Sequence, residues 1–90
     1  MDVVKSVEVI YHKRNQEVLT TSDRAEMLKR VLLQRTPITE FESDHSQYGH
    51  FHNRVYDFTG GLVIFSVWQP TSGYSWSEEI ITVIRIPQIK

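Results

Sequence analysis

Three of the chain's four histidines, His45, His50 and His52, fall within "DHSQYGHFHN", residues 44–53. Imidazoles at this density raise metal binding first. His50 and His52 are two apart, and alternate residues of a strand share a face, which is how a His-x-His pair chelates an ion. Asp44, His45 and Asp57 are the nearest further ligands, and zinc needs three or four in fixed geometry. The same histidines stand among Ser, Gln, Gly and Asn, the composition of a solvated hairpin bend. The bend is the preferred reading, so no metal and no cofactor is expected.

The His-x-His element resembles the metal motifs of cupins over three residues, but ninety residues are too few for a double-Greek-key barrel, and the resemblance is not adopted. Acid–base chemistry is a weaker alternative. A metal-free ribonuclease combines a histidine, a glutamate and an arginine as acid, base and phosphate clamp; His50, Glu40 or Glu42, and Arg54 are the residues that would serve. The net charge of −1 argues against an RNA substrate, which favours a basic cleft. There is no cysteine, no G-x-S-x-G elbow, no P-loop and no dinucleotide fingerprint. The expectation is therefore a protein that is not an enzyme.

"TSGYSW", residues 71–76, has the composition of a recognition loop. Tyr74 and Trp76 offer large contact areas with few rotors to freeze, and Ser and Gly offer adaptable hydrogen bonding. Tyr48, His50, Tyr74 and Trp76 become neighbours if the segments around them lie at one end of a sheet. They are the candidate partner-binding residues, for another protein first and for single-stranded nucleic acid second. The bland alternative is that Tyr74 and Trp76 fold back and cap a small core.

The elements that must position these residues follow from periodicity. "VKSVEVIYHK" alternates with period two and predicts a strand; "EVLTT" resumes it after "RNQ", as a hairpin would. "TTSDRAEMLKRVLLQRTP" predicts the one helix, stopping at or before Thr36. Asp23 with Glu26 resembles a capping box, with Ser22 or Thr21 as rival caps. Ala25, Leu28 and Leu32, widened by Met27 and Val31, form its apolar stripe, Leu33 falls on the charged side, and Pro37 ends it. Four further strands are expected at 38–43, 51–58, 62–69 and 79–86, with "TGG" as a tight turn between the second and third. The order is β-β-α-β-β-β-β: an α+β fold, a single domain over residues 1–90, with an antiparallel sheet and one helix packed on one face.

The last two strands are apolar on both faces, and one short helix covers only one. Three devices could bury the other face: strong curvature of the sheet, the amino-terminal hairpin folding over it, or a second copy of the chain. A homodimer through Val63, Phe65, Val67, Ile81 and Val83 is expected on this ground. Pro87 is expected to blunt an edge strand. The amino terminus lacks the apolar run of a signal peptide, and "GLVIFSVW" is far short of the roughly 20 residues a membrane helix needs. A cytoplasmic protein with no membrane contact is expected.

Overall fold

The computed structural model describes residues 6–86, so Val3, Lys5 and Pro87 lie outside the described residues. β1 (Ser6–Arg14) and β2 (Glu17–Thr20) form the expected hairpin. Its turn places Asn15 at φ 52°, a left-handed conformation that asparagine tolerates. α1 (Asp23–Leu33) follows. Of the three candidate caps Ser22 takes the role: its hydroxyl accepts from the Ala25 amide at 3.1 Å, while Thr21 donates to Glu26 at 2.7 Å. Ala25 and Leu32 are fully buried, with Leu28 packed beside them. Met27 and Val31 are 65% and 48% exposed, so the stripe in contact with the sheet is narrower than the sequence suggests.

β3 (Thr39–Ser46), β4 (Gly49–Phe58), β5 (Gly61–Pro70) and β6 (Glu78–Arg85) form the expected antiparallel meander. β3 continues past residue 43, through a register shift and a positive φ at Asp44. Most of the supposed histidine loop is therefore strand, closed by a turn at Gln47 and Tyr48. Polar residues there satisfy an exposed edge strand as readily as a loop, and composition alone does not separate the two.

All six strands join one sheet in the order β2-β1-β6-β5-β4-β3. β1 pairs with β6, so the amino-terminal hairpin widens the sheet instead of folding over it. Among the described residues both edges are free, and the sheet does not close into a barrel. α1 leaves one edge, crosses a single face and delivers the chain to the other edge.

Cross-strand partners share a face, so the register assigns every side chain. Tyr56, Val63 and Val83 stand on one rung, and Phe65, Ile81 and Tyr11 on another. These residues form one buried cluster with Ala25 and Leu32. The expected homodimer surface is corrected by this finding: Val63, Phe65, Val67, Ile81 and Val83 all pack into the core beneath the chain's own helix. Because β5 and β6 are apolar on both sides, alternation did not reveal which side α1 would take. The uncovered face is the opposite one, carrying Val9, Leu62, Ile64, Trp68, Ile80 and Ile84.

Candidate functional site

Three connections meet at one end of the sheet. The loop between β5 and β6, residues 71–77, is tied to both of its neighbours by backbone bonds. Its Thr71 amide donates to the Tyr48 carbonyl at 3.0 Å, in the β3–β4 turn. At its far end the Asn15 amide donates to the Ser77 carbonyl at 2.6 Å, and the Ser77 amide returns a bond to the Asn15 side chain at 3.0 Å. A loop fastened at both ends loses little further freedom when something binds it.

The aromatic residues of these connections surround a recess of about 350 Å³ lined by Ser46, Tyr48, Trp68, Tyr74, Trp76 and Glu78. The rings of Tyr48 and Tyr74 meet edge to face at 5.1 Å, a favoured geometry for two π-systems. Trp68 comes from the uncovered face of β5 and stacks edge to face on Phe51 at 5.0 Å. Tyr48, Tyr74 and Trp76 remain 51%, 47% and 42% exposed, so they do not fold inward to cap the core. Gly49 makes the close approach possible: a Cβ there would lie 2.8 Å from the Trp68 ring and 2.4 Å from the Gln69 carbonyl oxygen.

Glu78 forms the polar wall. It engages His12 at 2.5 Å and Arg14 at 3.4 Å, and accepts from the Trp76 indole N–H at 3.2 Å. Arg14 in turn lies over the Trp76 ring, 5.6 Å from its centre. Burial pushes the Glu78 carboxyl up, but the His12 and Trp76 bonds and the Arg14 charge outweigh it and hold the group below the usual carboxylate range. The Trp68 indole N–H is buried and, among the described residues, has no hydrogen-bond partner. A buried donor left unpaired costs about 1–3 kcal/mol.

Of the four residues expected to bind a partner, Tyr48, Tyr74 and Trp76 converge. His50 does not. Opposite Gln69 rather than Trp68, it points from the other face of the sheet. There the remaining polar candidates form a strip along β3 and β4. His52 bonds Glu40 at 2.7 Å with Arg54 at 3.5 Å from the same carboxylate. His50 and His45 stack at 4.8 Å and both approach Glu42 at 3.4 Å. The bond from His52, reinforced by Arg54, holds the Glu40 carboxyl below its ordinary range. The acid, base and clamp candidates thus split between two glutamates. Among the described residues no group of three His, Asp or Glu is placed to hold a metal ion.

Trp68, Glu78, Arg14 and Asn15 escaped the sequence reading. The available signal was register: Trp68 is the last aromatic of β5 before the loop, and Glu78 the first residue of β6 after it. A larger recess of about 420 Å³ lies at the far end of the sheet, near Leu28, Phe58 and Gly60. It gathers neither exposed aromatic rings nor an orphaned donor. Among the described residues no helix is long and apolar enough to cross a membrane. No protein-family model matches the chain, and neither a curated protein nor a solved structure is detectably similar to it.

Proposed function

We propose that the protein is a small non-enzymatic interaction module, a regulator or inhibitor that binds another protein through the recess of Tyr48, Trp68, Tyr74 and Trp76. The supporting observation is the fastened loop that holds three half-exposed aromatic rings around a cavity beside the unpaired Trp68 N–H. Pre-set aromatic anchors of this kind carry most of the energy in protein interfaces. The recess is sized for one apolar or aromatic side chain of the partner.

The test is affinity capture from the native host with wild type and with the Tyr74→Ala/Trp76→Ala double variant, each verified as folded by circular dichroism. Loss of two aromatic anchors is expected to weaken binding at least about 30-fold and so to abolish recovery. Equal recovery by the two proteins refutes the reading. A captured nucleic acid, with affinity falling about a thousandfold or more between 50 and 200 mM salt, would replace it with the nucleic-acid alternative.

A further inference from the structure

We infer that two copies of the chain pair through the sheet face opposite α1. The argument begins with a contrast between the two faces. Where α1 stops short on its own side, the exposed strip carries Glu40, Glu42, His52 and Arg54 and is suited to water. Among the described residues nothing covers the opposite face, yet its strands present Val9, Leu62, Ile64, Ile80 and Ile84 side by side. An apolar surface of this extent is rare on a monomer and marks a contact.

The face is built to be covered. Besides Thr82, between Val9 and Ile64, its central polar groups form one row that satisfies itself: Ser66 donates to Asn53 at 2.6 Å, and Asn53 donates to Ser43 at 2.9 Å. Covering that row strands no donor, which removes the usual penalty for burying polar groups. Charge is confined to the ends of the face, at Asp57 on one side and at His12, Arg14, Glu17 and Glu78 on the other. With an uncharged middle, the face meets its own copy without like-charge repulsion.

Area decides for a second copy. The five longer strands, 8 to 10 residues each and about 4.8 Å apart, present roughly 600 Å² of sheet, and two copies together bury about 1,200 Å², within the range of stable dimers. Two such sheets pack face to face about 10 Å apart, as in a β-sandwich. Pairing through the edges is disfavoured. β2 is only four residues long, and the β3 edge carries Glu40, Glu42 and a shifted register at Asp44. The recess opens at one end of this same face and shares Trp68 with it; pairing is therefore tested on the protein alone, with no partner present.

The test is sedimentation equilibrium on wild type, Ile64→Lys and Val9→Lys. Wild type is expected to have the mass of two chains at tens of micromolar. Each lysine variant places two charges in the interface and is expected to raise the dissociation constant at least ~100-fold. Val9 is 45% exposed, so Val9→Lys keeps the test valid even if Ile64→Lys fails to fold. A wild type that stays monomeric up to about 100 µM overturns the inference, as does a dimer that survives in a folded variant.

Discussion

Glu78 fastens His12 and Arg14, distant in sequence, and the nearby Trp76 to one wall of the recess. Its folded carboxyl titrates below the unfolded value of about 4.3, so the stabilisation it provides is complete above that value. The contribution is lost as pH falls through the folded value. Glu40 behaves in the same direction, through its bond with His52. The urea midpoint of wild type is therefore expected to drop on acidification below about pH 4.5, and Glu78→Gln to drop less steeply over the same range. Matching acid profiles for the two proteins would show that the Glu78 contacts contribute nothing to stability. At this scale the sequence was informative about residue types and poor about partners. Tyr74 and Trp76 stand out by composition, whereas the unpaired Trp68 donor depends on what surrounds it in space. His50 misled because one step along a strand reverses the face to which a side chain belongs.

Among the elements, the β4–β5 hairpin turns over Thr59 and Gly60, with Gly60 at φ 89°. Gly61 then passes so close to β6 that an added Cβ would sit 2.1 Å from the Ile84 carbonyl oxygen. Gly61→Ala must push β5 and β6 apart at their shared end, and a loss of roughly 1–3 kcal/mol is expected from denaturant unfolding. A midpoint within error of wild type would mean that the hairpin absorbs the shift at no cost. The "TGG" turn, the period-two alternation and the Pro37 stop made the order of elements legible before any coordinates. Two things were not. β3 reads as a loop past residue 43 because edge strands and loops draw on the same polar residues. The side taken by α1 was also hidden, since β5 and β6 offer an apolar surface in both directions.

At the scale of the whole molecule, one helix and one sheet share a single core in a body of 52 × 28 × 23 Å. Leu32 is the largest helical contribution to that core and is 1% exposed. Leu32→Ala is expected to cost about 2–5 kcal/mol in chemical denaturation, a large share of what a domain this small has available. A cost below about 1 kcal/mol would mean that α1 is only loosely seated on the sheet.

The pairing of β1 with β6 also sets a clock. Arg14 and its partner Glu78 stand 64 residues apart, whereas every other pairing in the sheet joins consecutive strands. A ribosome must reach β6 before β1 finds its place, and closing so long a span is slow. Until then the nascent hairpin has no edge to join, and β5 lies open along the side that β6 will take.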